Sequence, residues 1–152
     1  MIRLGVILVV LLAGCVPQSG TLVSDDTGLS GRYSGQVVIS DHPHHVLYGH
    51  VIEAQRNGEI TRALVISQRR DGVHNLRFQE AWMRGVELPF SRSGALSGCS
   101  HGQCLNRHAG MILLSDALFT HARNNGLQVR LIGGQDNVDI RVPAELFQLP
   151  PP

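Results

Sequence analysis

Residues 127–142 read LQVRLIGGQDNVDIRV, and their pattern is a clear indication of the fold class. Apolar residues occupy every second position on either side of a segment, 133–137, that is rich in Gly, Asn and Asp. These apolar residues are Leu127, Val129, Leu131, Val138, Ile140 and Val142. Successive side chains of a strand point to opposite faces, so the period of two predicts two half-buried strands joined by a turn. The stretch therefore predicts an antiparallel hairpin with one face in the core.

The residues just before this hairpin predict a helix from 115 to 125. Ser115 can cap its N-terminus, Asp116 complements the positive end of the helix dipole, and Gly126 can end it. Apolar residues recur at helical spacing along it, and His121 shares their face. We expect this face, including His121, to pack against the hairpin as part of the core.

A second hairpin is predicted in the first half of the chain. Segments 46–54 and 60–68 read as strands, and Asn57-Gly58 between them is the strongest short hairpin signal, because both central residues of the tight turn need positive φ. Asp71-Gly72 offers another such turn into 73–78, which would complete a meander. The predicted fold is α+β: an antiparallel sheet of about five to seven strands, a meander plus the C-terminal hairpin, with one amphipathic helix packed on it.

The chain begins with a positive charge and an apolar run. Arg3 precedes LGVILVVLL at 4–12, which has the length of a signal-peptide core and is shorter than the roughly 20 residues that span a bilayer. The run ends in Leu12-Ala13-Gly14-Cys15. This ending resembles the lipobox of bacterial lipoproteins, in which small residues precede the cysteine that receives lipid. An ordinary signal peptide with an incidental cysteine is the alternative.

The resemblance implies a protein anchored in the bacterial cell envelope. Residues 1–14 would be a cleaved signal peptide, and Cys15 would carry a diacylglyceryl thioether and an amide-linked acyl chain, which together make a stable anchor. Val16 stands where lipoproteins kept in the inner membrane have Asp. The resemblance therefore also implies an outer-membrane location facing the periplasm.

The mature chain divides into two parts by composition. Residues 15–32 are expected to be the lipidated cysteine and a flexible tether, because Pro, Gln, Ser and Gly dominate and no hydrophobic period survives. Residues 33–152 are expected to form a single globular domain, since their length fits one core.

Charge and residue usage exclude several functional classes. The chain has 13 basic residues, all of them Arg, and 12 acidic residues, so loss of Arg3 with the signal peptide leaves a formally neutral protein. A nucleic-acid partner therefore has no electrostatic support. The absence of lysine excludes Schiff-base chemistry and Walker-type phosphate loops.

The segment from Cys99 to Cys104 is the most distinctive motif outside the N-terminus. Export would place these two cysteines where disulfides persist, and the glycines at 98 and 102 give the backbone freedom to close a small loop. We therefore predict a structural disulfide between Cys99 and Cys104. A redox-active pair is disfavoured, because four residues rather than two separate the cysteines.

Two groups of ligand-type residues leave a zinc or copper(I) site open as an alternative. The first group consists of Cys99, His101, Cys104 and His108, and the second of His42, His44 and His45. Against this alternative, the thiols would have to stay reduced outside the cytoplasm, and their spacing matches no common zinc module.

No catalytic motif is recognisable in the sequence. There is no G-x-S-x-G nucleophile elbow and no acidic pair in a glycosidase motif, so neither catalytic residues nor a cofactor are assigned. The sequence favours an interaction or structural role at the cell envelope, with the membrane and an envelope protein as expected partners. A metal-handling lipoprotein and a small envelope hydrolase are the alternatives.

Overall fold

Antiparallel strands dominate the computed structural model. It describes residues 19–25, 28–69, 76–92, 99–100, 103–104, 106–134 and 137–152. At residues 69, 99–100, 103–104 and 106–109 it describes the backbone alone. The strands are β1 (Gly20–Ser24), β2 (Leu29–Tyr33), β3 (Val37–His42), β4 (His45–Arg56), β5 (Glu59–Arg69), β6 (Phe78–Met83), β7 (Val86–Leu88), β8 (Phe90–Ser91), β9 (Cys99–Ser100), β10 (Gln103–Cys104), β11 (Asn106–Leu114), β12 (Leu127–Gly133) and β13 (Asn137–Val142). The described residues also contain one α-helix, α1 (Asp116–Asn125), and a short 3-10 helix (Ala144–Phe147).

These strands form two sheets that share a hydrophobic core. The first sheet has the order β1-β2-β4-β5-β11-β8. The long strand β4 pairs with β3 through its first half and with β2 through its second half. The second sheet has the order β13-β12-β6-β7, and β9 and β10 form a separate small hairpin. Buried residues of both sheets, α1 and the 3-10 helix belong to one cluster. The predicted α+β class, with antiparallel sheet and one packed helix, is confirmed.

The C-terminal hairpin and the helix follow the sequence closely. Each of the six alternating apolar residues from 127 to 142 is at most 8% exposed, as predicted. The side-chain oxygen of Ser115 accepts a hydrogen bond from the N–H of Leu118 at 3.2 Å, and Gly126 ends α1 at φ 71°. No helix in the described part of the chain has both the length and the hydropathy needed to cross a membrane.

The structure corrects the prediction that His121 lies on the buried face of the helix. His121 is exposed, whereas Phe119 and Ala122 are buried. Because successive residues are about 100° apart around a helix, packing centred on Phe119 and Ala122 turns His121 away from the core. The Phe119 ring instead meets Phe147 edge-on at 6.0 Å between centroids.

A meander is present, but it consists of β3, β4 and β5 rather than of β4, β5 and the segment 73–78. Its Asn57-Gly58 turn is confirmed, with φ values of 52° and 83°, and it joins β4 to β5. The other neighbour of β5 is β11, and the segment beginning at Phe78 joins the second sheet. The N–H of Leu76 donates to the buried side chain of Gln68 at 3.0 Å rather than to a neighbouring strand. Residues 71–75 lie outside the described residues.

The expected tether is also corrected from residue 20 onward. β1 pairs with β2, and β2 pairs with the second half of β4, so residues 20–24 and 29–32 belong to the first sheet. Leu22 and Val23 remain 49% and 71% exposed. Backbone hydrogen bonds rather than side-chain burial hold β1 in place, and for this reason the segment shows no hydrophobic period.

Candidate functional site

The cysteine motif can be placed only by its backbone. Cα register pairs Cys99 with Cys104 across the β9–β10 hairpin, so the two residues lie directly opposite each other. His108 lies in β11, and Cys15 and His101 are outside the described residues. The predicted disulfide and the metal site that would use these residues therefore stay predictions.

The three early histidines meet at the turn between β3 and β4. His42 and His45 face each other across the hairpin with their rings stacked, 4.9 Å between centroids and 11° between planes. The ring of His44 lies 5.4 Å from that of His42, and the backbone N–H of His44 donates to Nδ1 of His42 at 3.3 Å. The rings of His42 and His45 thus meet through their faces rather than through their nitrogen atoms.

The part of the chain that the structure describes contains no preformed metal site. No group of three or more His, Cys, Asp or Glu side chains there is arranged to hold an ion. Stacked imidazole planes would have to separate before two of their nitrogens could reach one metal, because Zn–N bonds are only about 2.0–2.1 Å long.

A cleft in the described part of the chain lies elsewhere, on the outer face of the second sheet. It has a volume of about 700 Å³, within the range of small-molecule sites. We call it the Trp82 cleft, and its most prominent side chains are Trp82, Arg84, His121, Gln128, Arg130 and Arg141. The sequence analysis assigned none of these residues to a site.

Strand alternation brings these side chains to one face. In β12 and β13 the apolar residues enter the core, so Gln128, Arg130 and Arg141 must point outward. Trp82 follows the buried Ala81 in β6 and is paired across the sheet with Arg130, which in turn is paired with Asp139. The same alternation that builds the core therefore builds a row of polar side chains around one tryptophan.

The centre of the cleft is held by two hydrogen-bonded pairs. Nε1 of Trp82 donates to Oε2 of Glu80 at 2.8 Å, which fixes the edge of an indole that is only half buried. Nε and Nη2 of Arg130 donate to the two carboxylate oxygens of Asp139 at 2.7 and 2.9 Å. This hydrogen bonding lowers the pKa of Asp139 and raises that of Arg130, so both groups are charged at neutral pH.

The rim of the cleft comes from a helix end and a tight turn. His121 and Asn125 lie in the last turn of α1, where Nδ2 of Asn125 donates to the carbonyl oxygen of His121 at 3.0 Å. Arg84 and Gly85, which also line the cleft, form the turn between β6 and β7 with φ values of 48° and 81°. Both rims are exposed, so the cleft is open to a ligand from solvent.

Arginine gives the cleft an excess of positive charge. Three arginines line it, against two carboxylates at or beside it: Glu80, which accepts from Trp82, and Asp139, which is ion-paired with Arg130 and also feels the charge of Arg141. Arg84 and Arg141 form no ion pair with the described residues. Two exposed guanidinium groups can therefore bind a negatively charged ligand.

A second polar cluster lies at the edge of the core and has a structural role. Oε1 and Oε2 of Glu53 accept hydrogen bonds from Nε of Arg32 and Nε of Arg62 at 2.7 and 2.6 Å, in adjacent strands of the first sheet. Arg62 also contacts Asp116 and lies 4.9 Å from the centre of the Phe119 ring, which ties the start of α1 to the sheet. The Glu53 carboxylate thereby joins three strands, and Arg62 extends the link to the helix.

Burial and arginine pairing act in opposite directions on Glu53. Its side chain is 12% exposed, and burial by itself raises the pKa of the carboxyl group. The hydrogen bonds and charges of Arg32 and Arg62 outweigh this effect and hold the pKa below its ordinary value. Glu53 is therefore an anion at neutral pH, with both oxygens occupied, which leaves it unsuited to act as a general acid.

One sequence signal for the Trp82 cleft was available. Trp82 is the only tryptophan of the chain, and Gln128, Arg130 and Arg141 lie on the polar side of two alternating strands. The missing information was that β6 pairs with β12, almost 50 residues later in the chain. Searches of family models, curated proteins and solved structures find no match to this chain, so the geometry alone must support a function.

Proposed function

We propose that this protein is a lipid-anchored envelope protein that binds a ligand in the Trp82 cleft and has an interaction role rather than a catalytic one. The anchor is supported by the lipobox resemblance at Leu12-Ala13-Gly14-Cys15, and Val16 supports an outer-membrane location facing the periplasm. The binding role is supported by the cleft on the outer face of the second sheet.

The single observation that carries the binding role is the partial exposure of Trp82 in a cleft of about 700 Å³. Tryptophan and arginine are the residues most enriched at the energetic centres of binding surfaces, because each offers a large contact area together with a directed polar group. In this cleft they are adjacent, since the cross-strand partner of Trp82 is Arg130.

Site-specific photocrosslinking of the lipidated protein in intact cells tests this proposal. A photoreactive benzoylphenylalanine replaces Gln128, which lines the cleft, or, as the control, Ile60, which is 48% exposed on the first sheet. We expect an adduct from position 128 and none from position 60, and we expect W82A to abolish it.

Two results would contradict the binding role. One is the absence of any adduct at position 128, and the other is an adduct that persists unchanged in W82A. Circular dichroism of W82A establishes that the loss of an adduct reflects the missing indole, because the variant should keep the strand signal and cooperative unfolding of the parent protein.

A further inference from the structure

We infer that the ligand of the Trp82 cleft is a saccharide that carries a carboxylate group. This inference rests on the proposed binding function and specifies its ligand class. It follows from three features of the cleft: one half-exposed aromatic ring, a rim of planar polar side chains, and two arginines, Arg84 and Arg141, that form no direct ion pair with a described carboxylate.

The aromatic ring matches the apolar face of a sugar. The face of a pyranose ring carries C–H groups, which pack against the flat π-surface of an indole, while its hydroxyl groups point outward. Trp82 provides one such surface, and its hydrogen bond to Glu80 holds the ring edge in place. A stacking surface that is fixed before binding loses less conformational entropy when the ligand arrives.

The rim matches the hydroxyl groups. Gln128, Asn125 and His121 are exposed and surround the floor of the cleft. Each of these side chains can donate and accept hydrogen bonds, as a sugar hydroxyl does. A peptide would instead need apolar pockets for its side chains or a free strand edge for its backbone. The cleft lies over the face of the second sheet, where Leu127, Val129 and Ile140 are buried in the core and only Ile132 and Met83 are partly exposed apolar residues beside Trp82.

The unmatched guanidinium groups specify the charge of the sugar. Arg84 and Arg141 line the cleft without an ion-pair partner among the described residues. A guanidinium group presents parallel N–H donors that fit the two oxygens of a carboxylate. An uncharged saccharide would leave this capacity unused, so an acidic sugar fits the cleft better.

The backbone at Arg84 supports a role beyond the turn itself. Among the described residues, two tight turns have both central residues at positive φ, and one of them contains Asn57-Gly58, the pair that such turns favour. The other contains Arg84-Gly85, although an arginine adopts φ 48° less readily than asparagine. The turn therefore accepts a less suitable residue at the position where a guanidinium group reaches the cleft.

Because Trp82 is the only tryptophan, its fluorescence reports on this cleft alone. The lipidated protein in detergent is titrated with trigalacturonate, with a hyaluronan tetrasaccharide, with the methyl ester of trigalacturonate and with hexaglutamate. We expect a saturable change in emission with at least one acidic saccharide, and at least tenfold weaker binding of the methyl ester.

Variants of the two arginines test the charge assignment. R84N and R141Q should each weaken binding of the acidic saccharide about tenfold, whereas R56Q, which changes an exposed arginine of the first sheet, should bind like the parent. R84N places a favoured residue in the turn, so its melting temperature should be equal or higher, and weaker binding cannot be attributed to unfolding.

Several outcomes would overturn the inference and leave the proposed function standing. Equal affinity for trigalacturonate and its methyl ester would mean that the carboxylate is not recognised. Tighter binding of hexaglutamate would identify a polypeptide ligand. No saturable response to either acidic saccharide, together with an adduct at position 128 that depends on Trp82, would show a binding cleft for another class of ligand.

Discussion

The ionised carboxyl group of Glu53 stabilises the first sheet through two arginines. It accepts hydrogen bonds from Arg32 and Arg62 while only 12% exposed, so E53Q removes a charge that two arginines require. Hydrogen bonds to charged groups contribute about 1.5–3 kcal/mol each, and Gln retains part of this bonding. We expect E53Q to lower the free energy of unfolding by about 2 kcal/mol at pH 7, measured by urea denaturation.

The pH dependence of this effect follows from the lowered pKa of Glu53. A carboxyl group whose pKa is lower in the folded state stabilises the protein above its unfolded value, which lies near 4.5, and this contribution disappears as pH falls through the folded value. The difference between parent and E53Q should therefore shrink below about pH 4. D139N is the matched control, because Asp139 is also bound by an arginine but is 65% exposed, and it should change stability little. An equal deficit of E53Q at pH 3.5 and pH 7 would contradict the ionic role.

Among the elements, the β9–β10 hairpin provides a test of the predicted disulfide. Its register places Cys99 opposite Cys104, which supports a bond because paired Cα atoms of an antiparallel ladder lie about 4.5–5.5 Å apart, inside the disulfide range. A loop this short gives roughly 2 kcal/mol in the chain-entropy estimate. Replacing both cysteines by serine should lower the melting temperature by several degrees and leave the fold intact. Thiol titration of the unfolded, unreduced protein should detect no free thiol, and two reactive thiols there would refute the bond.

Elements formed by local interactions were predictable from the sequence. The helix from Asp116 follows from its cap at Ser115 and its end at Gly126, and the hairpin from Leu127 follows from side-chain alternation. The turn at Asn57-Gly58 follows from backbone sterics. Each of these signals lies within a few residues of the element that it specifies.

Elements formed by distant pairing were not predictable in the same way. β1 has exposed Leu22 and Val23 and is held by backbone hydrogen bonds, which leave no pattern in the side chains. The pairing of β5 with β11 and of β6 with β12 joins segments far apart in sequence. The Trp82 cleft depends on the second of these pairings, so the sequence could indicate which side chains face outward but not which of them meet.

Lipidation at Cys15 is the main prediction for the protein as a whole. Mass spectrometry of the membrane fraction should find an N-terminal cysteine bearing acyl chains, and C15S should be found unacylated and outside the lipoprotein pool. Two or more acyl chains hold a protein on a bilayer stably, whereas one chain holds it only marginally. A free Cys15 in soluble protein would contradict the prediction.

The pairing of β1 with β2 determines how closely an anchor at Cys15 would hold the protein to its membrane. Gly20, the first residue of the sheet, is five peptide units from Cys15, and a fully extended chain of that length spans at most about 18 Å. So short a tether would keep the protein in a thin layer above the lipid headgroups and limit its rotation. Its encounters would then occur in two dimensions, with molecules attached to the same surface or protruding into that layer.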